Sequence, residues 1–221
     1  MLKNRIILAL DKYINSDLLS KLGNELYGLK IGLPLILDLG INKVRDTISN
    51  VKVEEIIVDL KLADIGYIMN SIVEKLSFAN SFIAHSFIGI KGSLDELKRY
   101  LDSTGKGLYL VASMSHEGWN DSFTPYIKQV ISSIEPKGIV IGATKPVLIS
   151  DFRREFGNKI VIISPGVGVQ GADYGSAICA GADYEIIGRS IYDSKDPLHA
   201  LIKINQIIKD KVISCKGGVS R

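Results

Sequence analysis

Eight apolar runs of strand length recur along this chain, and helical patterns of period 3.6 separate most of them. The runs are Arg5–Leu10, Tyr27–Ile31, Glu55–Leu60, Ser81–His85, Leu108–Ser113, Gly138–Ile141, Lys159–Ile163 and Tyr184–Ile187. Alternating strands and helices leave two main architectures, an open doubly wound sheet or a closed (β/α)8 barrel. The even count and the crossover lengths favour the α/β TIM barrel, built as a single domain, although 221 residues is near its lower size limit. No linker, repeat or low-complexity break divides the chain. The barrel is expected to occupy residues 1–213. A flexible tail is expected over 214–221, where periodicity stops.

The helical segments carry their own end signals. Ile65, Ile68, Met69, Ile72, Val73 and Leu76 form one continuous apolar stripe, and Phe123, Ile127, Val130, Ile131 and Ile134 form another. Ser93-Leu94-Asp95-Glu96 reads as a capping box ahead of Leu97 and Leu101. Pro146 suits a first helical position before Val147, Leu148 and Phe152. Leu198, Leu201, Ile202 and Ile208 give the last helix its expected buried face.

Composition narrows the class. Hydrophobic residues make up 46% and charged residues 23%, an ordinary globular balance. A net charge of +3, with no long run of like charge, gives no reason to expect nucleic-acid binding. The longest apolar runs, such as Ile160–Ile163, are too short to cross a bilayer, so no membrane partner is expected. The N-terminal residues lead straight into a strand-like run without a small-residue cleavage site, which argues against a secretory signal. Cys179 and Cys215 stand 36 positions apart without a CxxC, suggesting neither a disulfide framework nor a zinc site. A cytoplasmic protein is the expectation.

In a barrel of this kind, residues at the carboxyl ends of the strands face the active site. The chemically interesting residues of this chain sit there. Asp11 ends the first run, Lys30 lies near the end of the second, and Asp59 and Lys61 end the third, with Asp64 just beyond. His85 ends the fourth, Ser113 and Ser115 the fifth, Pro165–Gly171 the seventh, and Gly188-Arg189 the eighth.

Alternation on a strand puts Asp59 and Lys61 on one side. Fixed charge of both signs beside the apolar run Ile56-Ile57-Val58 is costly to build for stability alone. Lys30 lies inside an apolar strand and needs a carboxylate partner, for which Asp11 and Asp59 are the candidates. Asp11 also fits a simpler role as a turn residue or helix N-cap. Ser164–Gly171 contains a literal GxGxxG, but it comes after the seventh strand with little chain left for a dinucleotide-binding half. Loops after strands seven and eight of many barrels form a phosphate site instead. There the glycines expose backbone N–H groups, Gln170 adds a donor, and Arg189 can fork two bonds to a phosphate. Ser115 and His116 are adjacent and diverge, which makes a nucleophile pair improbable and leaves Ser115 as a hydrogen-bonding or turn residue. His85 and His116 lack metal-ligand spacing, so no metal is expected.

Together these motifs resemble the orotidine 5′-phosphate decarboxylase family, particularly its short microbial and archaeal forms. Leu10-Asp11, Leu29–Gly32, Asp59-Leu60-Lys61-Leu62-Ala63-Asp64-Ile65, Met114-Ser115-His116, Gly142–Pro146, Ser164–Gly171 and Gly188–Tyr192 follow one another in family order. The resemblance implies cofactor-independent decarboxylation of orotidine 5′-monophosphate to uridine 5′-monophosphate. Lys61 would protonate C6, Asp59 and Asp64 would flank it, and Lys30 would complete the charged network. Asp11 and Lys30 would hold ribose hydroxyls and Ser115 the pyrimidine. Gln170, Gly188 and Arg189 would bind the phosphate, with Pro165 and Val167 in the loop that closes over it. In the family the second motif aspartate reaches the neighbouring subunit's site, which implies a homodimer with Asp64 contributed across the interface. One departure stands out: Ile68 occupies a position where the family commonly has a ribose-contacting threonine. The competing expectations are a magnesium-dependent sugar-phosphate decarboxylase or hexulose-phosphate synthase on the same barrel, and a non-catalytic phosphate-binding barrel.

Overall fold

The computed structural model describes residues 4–217. Strands β1 (Ile6–Leu10), β2 (Gly28–Gly32), β3 (Glu55–Leu62), β4 (Ser81–His85), β5 (Gly107–Ser113), β6 (Gly138–Ile141), β7 (Val161–Pro165) and β8 (Tyr184–Ile187) pair in parallel and in sequence order. β8 pairs back with β1, so the sheet is a closed barrel. The helices are α1 (Ser16–Gly23), α2 (Leu33–Leu39), α3 (Ile41–Ile48), α4 (Gly66–Lys75), α5 (Asp95–Ser103), α6 (Thr124–Ile134), α7 (Pro146–Phe156), α8 (Ser176–Ala180), α9 (Arg189–Tyr192) and α10 (Pro197–Gly217). The (β/α)8 barrel expected from the alternation is the observed architecture, and each expected strand lies within two residues of an observed one.

Strand alternation divides the core in two. Ile7, Ala9, Ile57, Ile83, Tyr109, Val111, Val140, Ile163 and Ile186 point inward and fill the barrel. Their strand neighbours, including Leu8, Val58, Phe82, Leu110, Ile139 and Ile162, point outward and pack beneath the helices. Each fully buried aliphatic side chain contributes about 1.5–3 kcal/mol. The amino end of the barrel is closed by a polar plug. Glu55, 1% exposed, accepts hydrogen bonds from Ser81 (2.5 Å), Lys137 (2.6 Å) and Tyr109 (3.0 Å). The inward residues at the carboxyl end are therefore the ones free to meet a ligand.

Several local expectations are corrected. Ser93 does not close a capping box; its hydroxyl donates to the Asp64 carbonyl at 2.8 Å, and Asp95 accepts from the Ser93 and Glu96 amides. Ile202 is exposed, while Ile204, Ile208 and Val212 join Leu201 in the buried face of α10. The α4 stripe is only partly used: Met69, Val73 and Leu76 are buried, but Ile65 and Ile68 remain exposed beside Tyr67. The boundary at 213 also moves, because α10 runs through to Gly217. Cys215, on that last stretch, forms a disulfide with Cys179 at the end of α8. The remainder of the expected tail, 218–221, lies outside the described residues.

Candidate active site

A cavity of about 280 Å³ opens at the carboxyl ends of the strands. Asp11, Lys30, Asp59, Lys61, Ser115, Pro165, Val167, Gln170, Gly188 and Arg189 all line it. Of the strand-end residues singled out in the sequence, His85 and Ser113 do not line the cavity, and neither does Asp64, which is exposed.

The charged centre is an alternating row. Lys30 Nζ lies 3.7 Å from Asp11 and 3.1 Å from Asp59, and Lys61 Nζ lies 3.0 Å from the same Asp59 oxygen. Lys30 and Asp59 are 8% exposed, whereas the outer members Asp11 and Lys61 are open to solvent or ligand. Burial pushes the Asp59 carboxyl up, but the Lys30 and Lys61 ammonium groups outweigh it and hold the group below its ordinary value. Asp59 therefore stays ionised, and its ion pairs hold both lysine side chains in place. A Cβ on Gly32 would come within 2.0 Å of Asp11 Oδ1, so a larger residue there would push the Asp11 carboxylate from its place beside Lys30.

The position of Lys61 comes from an irregularity. Pairing of β3 with β4 jumps from Asp59–Ile83 to Leu62–Ala84, so β3 carries extra residues at this point. Within the bulge Lys61 adopts φ +46°, a left-handed conformation costly for a residue with a Cβ. Simple alternation anticipated the shared side of Asp59 and Lys61; the bulge is how the structure achieves it. Beside this bulge, burial and the Lys61 charge lower the affinity of His85 for a proton, so its imidazole is held toward the neutral form. His85 lies against Phe87 and stacks with Trp119.

The remaining walls come from loops. The Ser115 hydroxyl donates to Gln170 Oε1 at 3.0 Å, which joins the loop after β5 to the glycine-rich loop after β7. Thr144 supports Ser115 by donating to its carbonyl at 3.1 Å. Lys145 bonds both Ser113 (2.9 Å) and Asp121 (2.8 Å), bracing the same loop from behind. In the glycine-rich loop, Gly166, Gly168 and Gly171 have positive φ, and Gly166 lies so close to Ser115 that a Cβ would come within 2.9 Å of the serine Cβ. Arg189 opens α9, is exposed, and has no carboxylate partner among the described residues.

Sequence reasoning missed the floor and part of the rim. Ala9, Ile83, Val111, Val140 and Ile186 form an apolar base, and Met114, Val169, Ser190 and Tyr192 complete the walls. The floor was visible in principle, since each of its members shares the inward phase of its strand. The rim residues had no comparable periodic signal.

An apolar floor, a fixed row of two ammonium groups and two carboxylates, and a glycine loop facing an unpaired arginine suit a planar ligand carrying an anionic end. Comparison with known proteins points the same way. The sequence model of the orotidine 5′-phosphate decarboxylase / HUMPS family matches residues 4–204. Orotidine 5′-phosphate decarboxylase of Saccharolobus solfataricus is 65% identical over 221 residues, covering 100% of this chain and 99% of the relative. The enzyme of the same name from Sulfurisphaera tokodaii is 53% identical over 212 residues, covering 96% and 98%. A crystal structure of orotidine 5′-monophosphate decarboxylase from Sulfolobus solfataricus superimposes with a TM-score of 0.93 at 65% identity, covering 95% of this chain and 100% of that one.

Proposed function

Because this chain belongs to the orotidine 5′-phosphate decarboxylase / HUMPS family, we propose that its cavity converts orotidine 5′-monophosphate to uridine 5′-monophosphate, with Lys61 as the proton donor. The enzyme is a carboxy-lyase, and its product completes the uridine nucleotide of pyrimidine biosynthesis. The observation that carries the assignment of Lys61 is the row Asp11–Lys30–Asp59–Lys61, fixed by three ion pairs at the mouth of an apolar floor.

The chemistry runs on side chains. The bond from C6 to the carboxylate breaks, carbon dioxide leaves, and the electron pair remains on C6. No adjacent carbonyl accepts that pair by simple resonance, so a preorganised cation beside C6 is the main source of stabilisation. The Lys61 ammonium fills that role and then transfers an N–H proton to C6, leaving a neutral amine that regains a proton from solvent. Asp59 faces the substrate carboxylate. Two like charges ~4 Å apart at an effective dielectric of ~20 repel by roughly 4 kcal/mol, and departure of carbon dioxide relieves this. Asp11 and Lys30 bind the ribose hydroxyls and Ser115 the pyrimidine. Gln170, Gly188 and Arg189 take the 5′-phosphate, with Pro165 and Val167 in the closing loop. Phosphate binding remote from C6 then supplies free energy for loop closure.

Asp64 is assigned to the active site of a partner subunit in a homodimer. It lies outside its own cavity, and its carboxylate holds the Ile65 amide at 2.7 Å while Ser93 fixes its carbonyl. The exposed apolar residues Ile65, Tyr67 and Ile68 follow it directly in the chain, which suits a surface meant for burial. Ile68 offers no hydrogen bond, so the ribose contact across such an interface differs from the common family pattern. No helix among the described residues is long and apolar enough to cross a membrane. We assign a cytoplasmic setting from the nucleotide chemistry; the Cys179–Cys215 disulfide departs from the reduced thiols usual there.

Purified protein is expected to abolish the ultraviolet absorption that distinguishes orotidylate, and Lys61→Ala is expected to leave it intact. Equal behaviour of the two proteins would reject the assignment. Loss of activity in EDTA, restored by magnesium, would favour the sugar-phosphate alternative.

A further inference from the structure

Glu185 is a carboxylate that this chemistry does not use, yet it is fully buried. It precedes the inward-facing Ile186 on β8, so its side chain points out of the barrel, toward α8. There its two oxygens accept from the backbone N–H groups of Gly175 at 2.8 Å and Ala177 at 3.1 Å. Ser164, also fully buried, is its register partner on β7. Burial pushes the Glu185 carboxyl up, against the pull of the neighbouring backbone amides. An apolar residue would pack α8 on the barrel at lower cost, so the carboxylate calls for a reason other than packing.

What it holds is the foot of the glycine-rich loop. From Gly166 to Gly175 the backbone has positive φ at four glycines. The turn is closed by Gly168 N–H to the Ala172 carbonyl at 2.8 Å and Ala172 N–H to the Gly166 carbonyl at 3.2 Å. Its descending end is tied by an exposed pair, Lys211–Asp173 at 3.2 Å, and by the buried Glu185 contacts. The strand that carries Glu185 leads directly into Gly188 and Arg189. One short strand thus bears the anchor of the first phosphate loop and the donors of the second.

We propose that Glu185 is a positioning residue: through the Gly175 and Ala177 amides it sets the glycine-rich loop in register with Gly188 and Arg189, and so governs phosphate affinity. This rests on the phosphate-site reading above. Glu185→Gln keeps the size and one acceptor oxygen but turns an amide group toward an N–H donor.

The test compares wild type and Glu185→Gln, well below their melting temperatures, on orotidylate and on the phosphate-free nucleoside orotidine. KM for orotidylate is expected to rise about tenfold with kcat changed less than about twofold, while kcat/KM on orotidine stays unchanged. The dissociation constant of uridine 5′-monophosphate should rise by the same factor. Equal losses on both substrates, or an unchanged KM, would overturn the proposal in favour of a purely structural carboxylate. Should Glu185→Gln fail to fold, Glu185→Asp, which withdraws the charge from the amides, is read by the same split. Failure of wild type to decarboxylate orotidylate would instead reject the function proposed above.

Discussion

Lys61 Nζ contacts both carboxylate oxygens of Asp59, at 3.1 and 3.0 Å, from a backbone turned to φ +46°. The lysine is therefore aimed twice, by the ion pair and by a strand bulge that a regular ladder would not contain. Strain of this kind persists where the surrounding structure holds it, and here it holds the proposed proton donor.

The strain is measurable apart from catalysis. Lys61→Gly and Lys61→Ala both remove the ammonium, but only glycine relieves the left-handed φ. Lys61→Gly is expected to be about 1 kcal/mol more stable than Lys61→Ala in denaturant unfolding, with neither variant active. Equal midpoints would show that the backbone is not strained at this residue.

Asp59 should hold its charge to lower pH than an ordinary carboxylate. Its folded value is depressed below the ordinary carboxylate value of about 3.9, so its contribution is present above that pH and is lost as pH falls through the lower folded value. The difference in melting temperature between wild type and Asp59→Asn should accordingly shrink on acidification below about pH 4. Parallel curves across that window would contradict the assignment.

Arg189→Ala is predicted to act through binding. Loss of charge-assisted bonds to the phosphate should raise KM by about 10- to 100-fold. Steady-state kinetics would reject this role if kcat fell while KM stayed constant.

Asp64 and Lys61 should complement across subunits. Asp64→Ala and Lys61→Ala homodimers are each expected to be inactive. Subunit exchange between them should restore about a quarter of wild-type activity, because half of the dimers are mixed and each mixed dimer holds one intact site. No recovery after verified exchange would place Asp64 outside the partner's site.

The Cys179–Cys215 disulfide closes a loop with a sequence separation of 36 residues and ties the end of α10 to α8. The chain-entropy relation assigns such a closure about 4 kcal/mol. Cys215→Ser should unfold at lower denaturant by that order, and thiol titration of unreduced wild type should find the cysteines blocked. Two free thiols and unchanged stability would count against the bond.

Much of this was legible locally. Inward and outward residues follow from strand phase, so Ile57, Asp59, Ile83 and Ile186 could be assigned to the interior before any coordinates. Lys30 announced itself as a charge within an apolar strand, and its partners proved to be the two carboxylates anticipated for it. Ser93 was less legible, because an N-cap serine and a serine that donates to a distant carbonyl look alike in sequence. Asp64 gave only its identity, since a side chain that leaves its own cavity needs a second surface to complete its role.

The sequence by itself determined the alternation, the inward phase and the order in which charged and glycine-rich segments meet the carboxyl end of the barrel. These follow from side-chain periodicity and turn chemistry, which act over a few residues. Tertiary structure alone decided the bulge that turns Lys61, the Glu185 carboxylate beneath the glycine-rich loop and the pairing of Cys179 with Cys215. Each depends on atoms far apart in the chain and close in space, where packing and hydrogen bonding outweigh local preference.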